Sequence, residues 1–449
     1  MLSHRHEVTC VVWSLDLPSA ARPSDDRRRS SASAYDARSR TVGVFEVASC
    51  IVAPELEGGR ETMTGPLTGL KVLELAGIGP GPYACMLLAD LGADVLRLER
   101  GDVDAKDAFT WDLLARSRSS VAVDLKSEAG RQLVLRLSEQ ADVLIEGFRP
   151  GVAERLGVGP QDIAVRNPRL VYGRITGYGQ EGRLAERAGH DINYIAMSGA
   201  LWPIGRVGER PVPPLNLVGD FGGGSMFLLF GVLAAVLHAR ETGEGQVVDA
   251  AMVDGSASMM TMTHAFENLG YWTEERGANI LDSGAPFYEV YETSDHRYVA
   301  VGAIEPQFYA ELLRGLSLAA STLPPQMDRE SWPSLKERFA AIFATKTRDE
   351  WEEIFVDTDA CVTPVLSPRE AAEHPVNVAR GVFDVDGTVQ PNPAPRFSKT
   401  PGAIGDPPGL AGSGTRAGLA RWGIGIDDFN VFRSAGAFGG STTMGDETA

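Results

Sequence analysis

From Leu70 onward, short apolar runs alternate with longer stretches of helical spacing. "LKVLEL" is an apolar, strand-like run that ends in the glycine turn "AGIGPGP". "YACMLLADLG" then carries apolar residues at helical intervals and stops at Gly92. "ADVLRLE", "SVAVDL", "ADVLIE" and "RLVYGRIT" repeat the strand pattern, with helical "EAGRQLVLRLSEQ" between the second and third. Strands without a polar face, alternating with helices, predict an open α/β fold with a parallel sheet covered on both sides. A further helix is expected from about Ser225 to Arg240, after "GDFGGG".

Beyond about residue 285 the texture changes. "FYEVYETSDHRYVAVGAI" predicts a hairpin turning at Ser294, Asp295 and His296, and "PQFYAELLRGL", "WPSLKERFAAIFAT" and "DEWEEIF" follow with helical spacing. The expected organisation is therefore a large α/β domain over 63–250, a linker helix over 251–285 and a smaller α+β domain over 286–380. A Pro/Gly-rich return linker with a terminal helix over 381–425 and a polar tail over 426–449 complete it. Residues 1–62 have no apolar period, and "ARPSDDRRRSSASAYDARSR" has the composition of a disordered arm, so Met63 reads as the working start. The apolar "VTCVVWSL" resembles a signal-peptide core, but Asp16 interrupts it and no clear cleavage box follows.

Charge changes the picture next. The 42 basic and 60 acidic side chains give a formal net charge of −18, which argues against non-specific binding to nucleic acid or anionic membrane. Cys10, Cys50, Cys85 and Cys361 have no close spacing, which excludes a disulfide scaffold or zinc module and fits reduced thiols in the cytoplasm. The longest apolar run, "MFLLFGVLAAVL" at 226–237, is too short to span a bilayer and reads as a buried helix.

Three groups of residues carry candidate chemistry. "GPGPYA", Gly79 to Ala84, fits a dinucleotide fingerprint with Glu99 near the ribose-binding distance. Pro80 and Pro82, however, remove N–H groups where a pyrophosphate needs them, and a tight strand-to-helix turn explains the same residues. Arg100, Lys126, Arg149 and Arg155 stand at or just after the ends of three predicted strands. Singly each reads as a solvated charge; together, on the ligand-binding edge of a parallel sheet, they point to an anionic ligand.

The third group is His190, Asp191, Asp220 and Glu305. No H-x-x-x-H, H-E-x-x-H or His/Cys cluster accompanies them, so no metal site is expected. Asp220 before three glycines serves equally as a helix cap or as a carboxylate where substrate approaches the backbone. Glu305, before Pro306, has the same capping alternative. His190 between Gly189 and Asp191 suits neither core packing nor a cap. Met259, Met260 and Met262 read first as core filling, and secondly as an adaptable acyl lining.

Longer motifs then add a resemblance. "GPLTGLKVLELAGIGPGPYACMLLADLGADVLRLER", "VAVDLKSEAG", "ADVLIEGFRPGVAERLG", "RITGYGQEG", "AGHDINY", "PVPPLNLVGDFGGGSMF" and "GQVVDAAMVDGS" resemble, in order, the class III CoA-transferase family. The resemblance runs from about Met63 to about residue 425. It implies a Rossmann-like large domain, a smaller domain and an interlocked homodimer whose sites draw on both subunits. It also implies an acyl-CoA substrate and no separate cofactor. By motif match, Arg100, Asp124, Leu125, Lys126, Gly147, Phe148, Arg149, Arg155, Gly189, Ile192, Asn193 and Tyr194 would hold the coenzyme A portion.

Transferases of the family have a nucleophilic aspartate at the position of Asp191, whereas its racemases add a basic histidine just before it. His190, "GDFGGG" and "GAIEPQFY" all take the racemase form. The resemblance thus implies a racemase or epimerase of 2-methylacyl-CoA thioesters. His190 and Asp220 would move protons on opposite faces of C2, Glu305 would support His190, and backbone N–H groups near Asp191 would hold the enolate oxygen. Branched-lipid or sterol degradation is the expected setting. A CoA-transferase acting through Asp191 and a non-catalytic acyl-CoA-binding scaffold are the competing readings.

Overall fold

The apolar runs assemble, in the computed structural model, into one parallel sheet of six strands; the structure describes residues 65–100 and 112–438. The strands are β1 (Lys71–Leu75), β2 (Asp94–Glu99), β3 (Ser119–Ala122), β4 (Val143–Glu146), β5 (Val171–Thr176) and β6 (Val247–Ala251), in spatial order β3-β2-β1-β4-β5-β6. Five match the expected runs, and the α/β class is as expected. The sixth, in "QVVDAA", was not anticipated: it is a short edge strand whose Val247 is largely exposed, so it lacks a central strand's unbroken apolar run.

Side chains alternate across the pleat and build two cores. Leu73, Leu75, Leu96 and Leu98 face α2 (Glu128–Ser138) through Leu133 and Leu137. Val72, Val95, Val143 and Ile145 face α1 (Pro80–Asp90) and α6 (Phe227–Thr242). Between these lie α3 (Val152–Arg155), α4 (Pro160–Arg166) and α5 (Asp191–Met197); α7 (Met252–Met259) and α8 (Thr261–Asn268) follow β6.

The helix expected from Ser225 starts earlier. Leu217–Met226 forms a π-helical segment that runs directly into α6, so Asp220 and its three glycines lie inside helix. Over Leu217–Thr242 the joined helix has 26 residues and is, by length and composition alone, apolar enough to cross a membrane, which corrects the expectation of a rod too short to do so. One side packs on the sheet through Leu228, Leu229, Val232 and Val236. The other side exposes Met226, Phe230 and Leu237.

A third core forms around the antiparallel strands β7 (Tyr288–Glu292), β8 (Tyr298–Gly302) and β9 (Val362–Pro364). The predicted hairpin is β7–β8, with His296 at φ 58° in its turn. Phe287 and Tyr291 pack there against α9 (Pro306–Gly315), α10 (Trp332–Phe343) and α11 (Arg348–Phe355) through Leu312, Phe339, Phe343 and Trp351.

The chain then returns through α12 (Pro368–Glu373) and α13 (Pro375–Arg380) to α14 (Thr415–Arg421) beside β3. The Gly414 N–H donates to the Ser120 carbonyl at 3.0 Å, and the Thr415 hydroxyl accepts from the Ala122 N–H at 3.1 Å. The expected polar tail from 426 is corrected: Ile426–Ser434 forms α15, and Phe429, Ala437 and Phe438 enter the α2-side core. "DDFNVF" hides its apolar residues among charges, which obscured the helix. The reading of residues 1–62 lies outside the described residues, as does the tail beyond 438.

Candidate active site

All six strands point their carboxyl ends to one edge, and the order reverses between β1 and β4, where open α/β sheets hold ligands. Gly79 and Gly147 lie in the loops that leave these two strands. Gly79 adopts φ +72° at the head of α1, with Pro80 at its first position. A Cβ at Gly79 would sit 3.5 Å from Asp220 Oδ2, so this turn receives a carboxylate from the π-helical segment.

Strand ends also place the expected coenzyme A residues. Arg100 follows β2, Asp124 to Lys126 follow β3, and Gly147 to Arg149 follow β4. The side chains of Lys126, Arg149 and Arg155 are exposed. Asp124 Oδ1 accepts from the Lys126 N–H at 2.9 Å, and the Asp124 N–H donates to Ala437 at 2.8 Å. That second bond brings the C-terminal segment to the site's edge, a contribution no local motif signals. Leu125 and Phe148 are half-buried against the α2-side core. Arg155 folds back over the Gly151 turn.

The β4 loop is braced from below. Glu146, almost fully buried, accepts from the Phe148 N–H at 2.5 Å and from Arg174 Nε at 2.9 Å, while Arg174 reaches Glu154 at 2.8 Å. Burial raises the Glu146 carboxyl above the usual glutamate range against the pull of Phe148 and Arg174. Removing one partner of a buried ion pair leaves an uncompensated charge, so Arg174→Ala is expected to cost about 3–5 kcal/mol of stability. Urea unfolding of this variant beside Arg174→Lys checks the value; equal midpoints for wild type and Arg174→Ala would refute the brace.

His190 opens α5 with extended backbone (φ −131°), and its N–H donates to Asn193 Oδ1 at 3.0 Å. Its side chain is exposed and makes no hydrogen bond among the described residues. Tyr194, one turn on, donates its hydroxyl to the Gly189 carbonyl and packs edge-on against Tyr178. Burial, helped by the Asp220 charge, pushes the Tyr194 hydroxyl up to about 12, and Arg149 is near enough to oppose this. Ile192 is exposed on the same first turn.

Asp191 points inward and is 5% exposed. Its Oδ2 accepts from the Gly219 N–H at 2.6 Å and the Asp220 N–H at 2.7 Å; its Oδ1 is buried without a partner. The anion at this helix start is therefore Asp191 itself. Asp220 Oδ2 accepts from Asn216 at 3.4 Å. Burial, with the Asp191 charge adding to it, holds the Asp220 carboxyl above the ordinary aspartate range against Asn216 and His190.

The three glycines do not open the backbone to substrate. Gly223 and Gly224 are buried against α7, where a Cβ on Gly255 would lie 1.9 Å from the Gly223 carbonyl oxygen. They let two helices touch. Gly222 faces Met259. Met259 and Met262 are exposed, which overturns core filling as their reading.

Glu305 is not among the groups that act on Asp191 or Asp220. It holds the N-cap position of α9 without a side-chain capping bond, is exposed, and makes no hydrogen bond to His190 among the described residues; burial, with the Glu305 charge adding to it, raises the Cys361 thiol. Among the described residues no group of three or more His, Cys, Asp or Glu is gathered as metal ligands.

Residues 67–414 match the model of CoA-transferase family III. The chain belongs to that family. It is 48% identical over 337 residues to alpha-methylacyl-CoA racemase of Mus musculus, covering 75% of this chain and 87% of the relative. The racemase of the same name from Homo sapiens is 46% identical over the same length, with the same coverage. A crystal structure of a CAIB/BAIF family protein from Brucella suis superposes with a TM-score of 0.69 at 25% identity, covering 80% of this chain and all of the other. The strand order β3-β2-β1-β4-β5-β6 is the Rossmann-like arrangement that the family resemblance implies.

Proposed function

We propose that this chain interconverts the two configurations at C2 of 2-methylacyl-CoA thioesters. The observation that carries the reading is that Asp191, next to His190 in the chain, accepts from the Asp220 N–H at 2.7 Å, while the Asp220 carboxyl feels the charges of both Asp191 and His190. The near relatives named alpha-methylacyl-CoA racemase support the same assignment. The C2 proton is weakly acidic, so inversion needs a base on each face and support for the enolate oxygen. His190 takes or returns the proton on one face and Asp220 on the other. The N–H groups of Asp191 and Ile192, which open α5 without intrahelical acceptors, serve the enolate oxygen. Arg100, Lys126, Arg149 and Arg155 hold the phosphates of coenzyme A. In this reading no metal, flavin or nicotinamide takes part.

The functional unit is proposed to be a homodimer. Phe230 is 77% and Leu237 69% exposed on one side of α6, and α8 has no buried residue, so a large apolar face is left to a partner. We place Glu305 against the His190 of the other subunit: among the described residues of one chain no hydrogen bond joins the two, and the Glu305 charge acts on Cys361. The transferase reading fares less well, because nucleophilic attack requires an accessible Asp191 oxygen: Oδ2 is held by two N–H groups and Oδ1 is buried.

The decisive assay incubates a single enantiomer of a 2-methylacyl-CoA with the protein in D₂O. Deuterium at C2 together with inversion is the expected result; neither uptake nor inversion would overturn the proposal.

A further inference from the structure

Asp191 is the buried carboxylate at the centre of the site, and the reaction proposed above gives its side chain no proton to carry. Its surroundings show what it does. It follows His190 directly in the chain, and its Oδ2 accepts from the N–H groups of Gly219 and Asp220. Ser225, fully buried, approaches the Asp220 carbonyl at 3.1 Å and donates to the Pro80 carbonyl at 2.7 Å. The Asp220 backbone is thereby held on its N–H side by α5 and on its carbonyl side near the head of α1.

The α5 end of this link is rigid too. Asn193 caps the His190 N–H, and Tyr194 ties back to the Gly189 carbonyl, so the turn carrying His190 is fixed at both its flanks. A Cβ on Gly219 would lie 2.8 Å from Asp191 Oδ2, so only glycine lets the carboxylate come this close. The path from one proton-carrying residue to the other is thus one peptide bond and a pair of short hydrogen bonds.

We propose that Asp191 is a positioning residue that couples His190 to Asp220, so that the two side chains face one C2 carbon as a fixed pair. This rests on the racemase reading and extends it: each base alone supports exchange of a proton on its own face, but inversion requires both in register. A displacement on the order of 1 Å at a reacting centre costs about 10²-fold. Losing Asp191 therefore harms inversion more than it harms exchange on either face.

The test measures deuterium uptake at C2 and inversion separately, starting from each enantiomer, for wild type, Asp191→Ala and Asp191→Asn. In Asp191→Ala, inversion is expected to fall about 100-fold while exchange falls far less, so the exchange-to-inversion ratio rises by about tenfold or more for both enantiomers. Asp191→Asn keeps an acceptor oxygen and is expected to recover part of the inversion. Thermal unfolding of each variant separates lost folding, which lowers both rates together, from lost register. An unchanged ratio in a folded Asp191→Ala overturns the coupling role, as does hydroxylamine-sensitive acylation of wild-type Asp191. A wild type that neither exchanges nor inverts would instead fail the racemase reading.

Discussion

Asp220→Asn is expected to lower inversion of a 2-methylacyl-CoA by about 10²–10⁴-fold, and His190→Ala by a similar factor. The two losses should differ in what survives. With Asp220 neutralised, the enantiomer whose C2 proton faces His190 still exchanges it with solvent and returns to the same configuration. With His190 removed, the opposite enantiomer does so. This crossed pattern belongs to two bases on two faces, and a single mobile base would silence both enantiomers in one of the variants. The Asp220-dependent exchange also has a predictable acid limit. The base must be ionised, and burial with the Asp191 charge holds this carboxyl above the ordinary aspartate range. Its ionised form is therefore lost as pH falls through a value higher than that of an unperturbed aspartate, so the exchange fades earlier on acidification. An acid limb at the ordinary aspartate value would contradict the environment described for Asp220.

The second large effect concerns assembly. A His190→Ala chain and a Glu305→Ala chain, each impaired alone, are expected to restore activity when co-expressed. If Glu305 serves the histidine of the other subunit, a mixed dimer carries one site with both defects and one with neither. Random pairing makes half of the dimers mixed, so activity should recover to about a quarter of wild type. If each chain supplied both residues to its own site, no mixed dimer would hold an intact one. Tandem-affinity purification of the mixed species, followed by the inversion assay, separates these outcomes.

The sequence discloses what is local and periodic. Runs such as "LKVLEL" and "ADVLIE" carry the strand signal in their unbroken apolar character, and they also place Arg100, Lys126 and Arg149 at strand ends. What it conceals is set by contacts across long separations. Nothing near "GHD" signals that the Asp191 carboxylate grips backbone at Gly219 and Asp220, 28 and 29 residues onward. "LVGDFGGGSM" hides its helix because glycines suppress the apolar period, and the close approach of Gly223 and Gly255 that justifies them is a tertiary fact. The C-terminal helix escaped for a related reason: Phe429 and Phe438 find their core partners on α2 and β3, far back in the chain. Glu305 is named by its motif alone, since no hydrogen bond joins it to His190 among the described residues.

The π-helical stretch has a consequence for how this enzyme tolerates change. Each residue of an ordinary helix turns the chain by about 100°, and a wider turn accommodates an extra residue within the same rod. Deleting one glycine between Gly222 and Gly224 would let the segment tighten into ordinary helix and rotate everything ahead of it. Asp220 would swing away from Gly79 while the α6 side bearing Phe230 and Leu237 stayed in place. The bearing of the Asp220 carboxylate relative to the exposed apolar side of α6 is thus written in residue count, so family members with a shifted glycine tract should be read as altered in geometry even where every named side chain is retained.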